Sequence, residues 1–281
     1  MTATLDAPAA RRRPRRRERQ KISVFTLVIT VLLLLPLVVV ALAAVNPEPY
    51  LLFPPEDFSL HWFSAALDYP SFRTSLVLSL RIALIVVVVG LLITVPAAVA
   101  VTRGTGRVRR SVQLAMATPL VTPDILLALG LLIMLTQLSM SNSLVGLVLG
   151  HVLVGLPIAL QVLVAGLAGI DPNLEHAAAT LGASRIRAFL AVTLPNMLPA
   201  IGSAALFLFI FSFDNVSISL FLSAPGQTTL PITLFQYLEN NADPTVAAMS
   251  TILVIVGVAV ALLLGRLGGL GQLAGGGRRR R

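Results

Sequence analysis

The chain has 281 residues, of which 56% are hydrophobic and only 12% charged, with a formal net charge of +9 and no cysteine. Soluble domains carry about 25% charged residues, so this composition excludes an ordinary water-soluble fold. The lack of cysteine excludes disulfides, thiolate metal sites and cysteine nucleophiles.

Residues 1–21 read as a basic tail, with Arg11 to Arg13, Arg15 to Arg17, Arg19 and Lys21. The Arg-, Ala- and Gly-rich composition of 1–20 and 269–281 predicts disorder there. Between the tails, apolar blocks with few charges predict six spans near 22–45, 74–101, 112–136, 143–168, 196–222 and 246–267. Each is long enough to cross a ~30 Å hydrocarbon layer as a helix. Barrel strands run ~10 residues and alternate in polarity, so these long runs predict an all-α membrane protein with six transmembrane helices. The first span, 22–45, follows the long basic tail and shows no good cleavage site, so it reads as a retained anchor.

An external loop, 46–69, carries Pro47, Pro49, Pro54, Pro55 and Trp62, and the segment HWFSAALDYPSF predicts a short interfacial helix. Trp62 and Tyr69 suit headgroup depth. A second external segment, 223–245, opens on the turn APGQ and continues into an amphipathic helix, LPITLFQYLEN. Asp243 and Pro244 then supply an N-cap and a first helical residue for the last span.

If the six spans alternate, all but two of the 21 basic residues fall on one side, in the tails and around Arg103, Arg107, Arg109, Arg110, Arg185, Arg187 and Arg266. The opposite loops carry Glu48, Glu56, Asp57, Asp68, Glu239 and Asp243. The positive-inside rule therefore predicts that both termini are cytoplasmic. The arginine tails read as topology and attraction to anionic lipid rather than as a nucleic-acid site.

The stretch between spans four and five is the least apolar. Asp171-Pro172 predicts an N-cap with proline at the first helical position. Leu174, Ala177, Ala178 and Leu181 fall at i, i+3, i+4 and i+7, an apolar stripe on a short helix. Gly182 predicts a left-handed C-cap. A second short helix is expected over 184–193 with Arg185 and Arg187, and Pro195 is expected to start the next span. A knob of small apolar residues with a polar rim suits a groove on another protein.

These residues resemble the EAA loop of permease subunits from binding-protein-dependent ABC importers with the type I fold. That family's pattern is Glu-Ala-Ala, three residues, Gly, and a downstream Ile/Val-x-Leu-Pro. Here the chain reads His176-Ala177-Ala178, three residues, Gly182, then Val192-Thr193-Leu194-Pro195. It departs at His176, where Glu is usual, and Glu175 stands one residue early, on another face of the helix. The segment from Ser212-Phe213-Asp214-Asn215 onward looks like the second permease of spermidine/putrescine-type importers, which typically read Ser-Phe-Asp-Glu there. The resemblance implies a permease domain over 70–268 and coupling residues Leu174, Glu175, His176, Ala177, Ala178, Leu181, Gly182, Arg185 and Pro195. It also implies a cytoplasmic ATPase dimer, a heterodimeric or homodimeric pore, with a second, different permease subunit as the expected partner, and an extracytoplasmic solute-binding protein. No G-x-x-x-x-G-K-[ST] motif occurs in the chain, so ATP hydrolysis is expected on separate subunits. No cofactor, metal or nucleic acid is expected.

Arg81, Asp124, His151 and Asp214 lie within the predicted spans, where ionisable groups are costly and usually face the protein interior. They are candidates for a cation path, since carboxylates can replace the hydration water of a polyamine. The bland reading is mutual pairing, for example Arg81 with Asp214, and a packed, hydrogen-bonded His151. The function expected is import of a polyamine. Alternatives are another ABC-imported solute (ferric ion, thiamine, sulfate or an opine), or a secondary transporter working alone.

Overall fold

The computed structural model describes residues 16–49, 57–141, 143–241 and 243–267, with side chains from Val24 onward. Residues 1–15, the 269–281 tail, Pro54, Pro55 and Glu56 lie outside the described residues. Among the described residues the elements are helical throughout. In order they are α1 (Arg16–Ala43), α2 (His61–Asp68), α3 (Pro70–Arg103), α4 (Gly106–Val121), α5 (Asp124–Gln137), α6 (Leu144–Ala168) and α7 (Asn173–Thr180). There follow α8 (Arg185–Ala188), a π-turn (Phe189–Thr193), α9 (Leu194–Phe213), α10 (Val216–Leu222), α11 (Leu230–Asn240) and α12 (Thr245–Leu267). The first helix begins at Arg16, inside the expected disordered tail.

Five helices are long and apolar enough to cross a membrane, and a sixth crossing exists if the bent pair α4–α5 counts as one span. The expected straight span at 112–136 is therefore corrected: α4 and α5 meet at a bend of 107°. The cause is local. Pro123 has no N–H to donate, and proline pushes its predecessor out of helical geometry, as seen in the extended Thr122 (φ −96°, ψ 130°).

The core is a three-helix packing of α3, α6 and α9, with α12 on α9 and α1 on α12. Small residues let these helices approach closely. Leu208 of α9 lies between Gly90 of α3 and Gly155 of α6, and a Cβ added at either glycine would sit 2.8 Å from the Leu208 methyls. Helix α1 is peripheral: from Val24 to Val38 its large apolar side chains are exposed, as lipid-facing residues would be.

The two short helices read from the loops are present. Trp62 of α2 donates its indole N–H to the Asn46 carbonyl at 2.6 Å. Tyr69 and Tyr237 meet edge to face at 5.2 Å, joining the start of α3 to α11. Asp243 accepts from the Thr245 N–H at 2.8 Å and so caps α12 as expected.

Candidate functional site

Helix α7 keeps the Asp171 cap contact that its sequence predicts, with the helix start moved by one residue, from Pro172 to Asn173. The Asp171 carboxylate accepts from the Asn173 N–H at 2.9 Å. At the other end Gly182 adopts φ +89°. The Ala183 N–H reaches the Ala178 carbonyl at 3.1 Å and the Gly182 N–H the Ala179 carbonyl at 3.0 Å. This pair of bonds is the Schellman closure, which needs a residue tolerant of the left-handed region. Ser184 then accepts from the Arg187 N–H at 3.3 Å and caps α8.

The second helix is not the separate 184–193 element that its sequence suggests. It runs on through the π-turn into α9 as one rod, Arg185–Phe213, so Pro195 lies inside that rod rather than at a span start. At the wide turn the Leu194 N–H reaches back to the Phe189 carbonyl. Proline cannot donate, and its ring crowds the carbonyl four residues earlier. A five-residue turn just ahead of Pro195 opens the ladder where that crowding would fall.

Glu175 does not point away unused. Arg103, the last residue of α3, donates from Nη1 to both Glu175 carboxylate oxygens at 2.6 Å. The Thr193 hydroxyl, fully buried in the π-turn, also donates to that carboxylate. Arg103 Nη2 lies 3.4 Å from the same hydroxyl. One carboxylate thus ties the knob to the end of α3 and to the base of α9. Among the described residues this is the salt bridge the chain makes. Local spacing cannot reveal a partner 72 residues away in the chain.

With Glu175 turned inward, the other face of the knob is bare. Leu181 is 89% and Leu174 45% exposed. His176, Ala177 and Arg185 are exposed, and Ala178 is half-buried. Ile186, 74% exposed, extends the apolar surface onto α8. It was missed in the stripe, although a lone isoleucine between Arg185 and Arg187 was a signal.

The four intramembrane candidates do not form one cluster. His151 is buried, its Nδ1 3.0 Å from Ser212 Oγ and its Nε2 3.1 Å from Ser219 Oγ. It links α6 to both sides of a break in the expected span 196–222. That span is corrected as well: α9 stops at Phe213, and the Asn215 side chain accepts from the Ile218 N–H at 2.7 Å to start α10. Asp214 sits exposed in the gap between the two helices. Asp124 opens α5, where a helix N-terminus favours negative charge, and is half-exposed. Arg81 faces a cavity of about 1180 Å³ with Arg73. The alternative pairing of Arg81 with Asp214 is not formed.

A model of the family described as "Binding-protein-dependent transport system inner membrane component" matches residues 87–268. The chain is 31% identical over 225 residues to the putrescine transport system permease protein PotI of Escherichia coli, covering 77% of this chain and 76% of that protein. It is 28% identical over 206 residues to the spermidine/putrescine transport system permease protein PotC of Haemophilus influenzae, covering 73% and 80%. Among solved structures, a bacterial ABC transporter involved in import of the acidic polysaccharide alginate superposes with a TM-score of 0.67 at 17% identity, covering 91% of this chain and 98% of that one. An amino acid ABC transporter with histidines gives 0.57 at 19% identity, covering 74% and 97%.

Proposed function

The chain belongs to the binding-protein-dependent transport system inner membrane components; it is a membrane-spanning permease subunit of an ABC transporter rather than an enzyme, and we propose that its solute is a polyamine of the spermidine/putrescine class. The observation that carries the coupling mechanism is the bare apolar face of the knob, held rigidly by the Arg103–Glu175–Thr193 contacts behind it. ATP binding closes a separate ATPase dimer. The knob, seated in a groove of that dimer through Leu174, Leu181 and Ile186, moves as a body. Because α8, the π-turn and α9 are one rod, the motion passes into the span that ends at Asp214. Differential affinity of the ATPase for two permease states then drives alternating access.

The domain assignment 70–268 is supported by the start of α3 at Pro70, and the 87–268 match falls inside it. The charge asymmetry supports cytoplasmic termini and a cytoplasmic knob. A second permease completes the pore, and a solute-binding protein delivers cargo on the opposite face. The polyamine reading is supported by what PotI and PotC are named for and by the exposed, unpaired Asp214 at a helix break. A carboxylate there can take over the hydration of an ammonium group.

The test is uptake of labelled spermidine, sulfate and thiamine in a strain lacking the gene, with and without its restoration. Restored uptake of spermidine alone is expected. Restored uptake of sulfate or thiamine without spermidine would replace the solute and leave the permease class standing.

A further inference from the structure

Two arginines are left without a role by this mechanism. Arg73 and Arg81 both line the cavity of about 1180 Å³ between α3, the 226–228 turn and α11. Thr74, Gln227 and Gln236 add polar groups, and no carboxylate is among the lining residues. Lower on α3 the wall turns apolar with Leu84 and Ile85, and Leu144 faces them from the start of α6. The Leu230 N–H donates to the buried Ser79 hydroxyl at 2.8 Å, pinning α11 across the polar end.

The depth of this cavity follows from the helix itself. Residues 82–102 of α3 carry no charge, and Arg81 and Arg103 bracket them. That stretch is on the order of 20 residues, about what crosses a ~30 Å hydrocarbon layer. Arg103 already marks one surface, so Arg81 stands at the other, at headgroup level. By the same count the outer part of α3, from Pro70 to Arg81, extends beyond a ~30 Å hydrocarbon layer, which would shorten the expected span 74–101 at its outer end.

From this we propose that the cavity binds the phosphate of an anionic phospholipid in the leaflet at the α2–α11 end. Planar guanidinium groups match phosphate oxygens in pairs. Basic pockets among transmembrane helices take anionic headgroups for this reason. Inward of Arg81 the lining is apolar, as an acyl chain requires, while outward of it Val77 and Leu78 stand among Arg73, Thr74 and the amide groups. A polyamine is repelled by two unpaired arginines, so the separation of this site from the cargo path rests on the proposed polyamine reading.

The test uses the full-length chain in its purified complex, taken from nanodiscs of phosphatidylcholine and phosphatidylglycerol into mild detergent. Native mass spectrometry then counts retained lipid. Selective retention of phosphatidylglycerol is expected, falling about tenfold or more in Arg73→Gln/Arg81→Gln. Thr74→Glu, seven residues from Arg81 and on the same face of α3, should reduce it similarly by supplying an internal carboxylate, and it keeps the test alive if the double variant fails to assemble. Equal retention by wild type and Thr74→Glu overturns the proposal. So does wild-type protein that holds no phosphatidylglycerol because a companion subunit fills the cavity. Displacement of the lipid by inorganic phosphate at modest concentration overturns the lipid assignment in favour of a free anion.

Discussion

Glu175 is the residue on which the proposed coupling geometry turns. It accepts from a guanidinium at the end of one span and a buried hydroxyl at the root of another, and is itself part of the knob. Arg103 and Glu175 side chains are 34% and 23% exposed, so their pairing is worth more than a fully solvated ion pair. A double-mutant cycle with Arg103→Gln and Glu175→Gln should give a coupling energy of about 1–2 kcal/mol in thermal unfolding. Each single variant should also lower the uptake obtained per ATP hydrolysed. Unchanged stoichiometry would reduce the contact to a structural tie. Gly182→Asp, which places a side chain at φ +89°, should distort the Schellman closure and abolish uptake while insertion persists, as a membrane-fraction blot would show. Asp214→Asn removes the charge at the break between α9 and α10. It should weaken spermidine uptake several-fold with expression unchanged. A stable variant with normal uptake would take Asp214 off the cargo path.

Among the elements, those whose cause lies within a few residues were legible. The caps at Asp171, Gly182 and Asp243 and the short helices α2 and α11 came from local chemistry that the structure retains. The breaks inside apolar runs were not. Hydropathy alone does not separate a straight span from α4 and α5 bent by 107° at Pro123. Nor does it mark Asn215, whose capping of α10 is a choice between helix and turn made by one side chain. The continuous rod through Pro195 was misread for the opposite reason, because proline usually signals a start and here the π-turn absorbs it. Close helix approach also escapes a single sequence. Gly155→Ala should overpack against Leu208 and cost about 1–3 kcal/mol. Leu208→Ala should cost about 2–5 kcal/mol alone. The two together should be less than additive, because the alanine methyl enters the space that leucine leaves. Thermal unfolding of the four proteins checks this.

The whole molecule presents a packed centre with three kinds of uncovered surface. Helix α1 shows apolar side chains around the edge, the α3–α11 cavity is cationic, and the knob is small, apolar and rigidly backed. Of these three the knob has the form of a docking surface for the ATPase, since Leu181 and Ile186 flank the closed turn at Gly182, with α8 capped by Ser184 and continuous with α9. Leu181→Ser with Ile186→Ser should cut the ATPase recovered with the tagged permease by about tenfold, roughly 1.4 kcal/mol of affinity, without changing membrane insertion. Undiminished recovery would mean that the ATPase grips another part of the chain.

The widened turn at Phe189–Thr193 holds one surplus residue in an otherwise regular spiral. Were it to close, everything on one side of it would revolve relative to the other by on the order of 100°. Thr193 would swing out of reach of Glu175, and Asp214 would face a different quadrant. A change of angular phase, with almost no change in length, is therefore available between the two membrane surfaces.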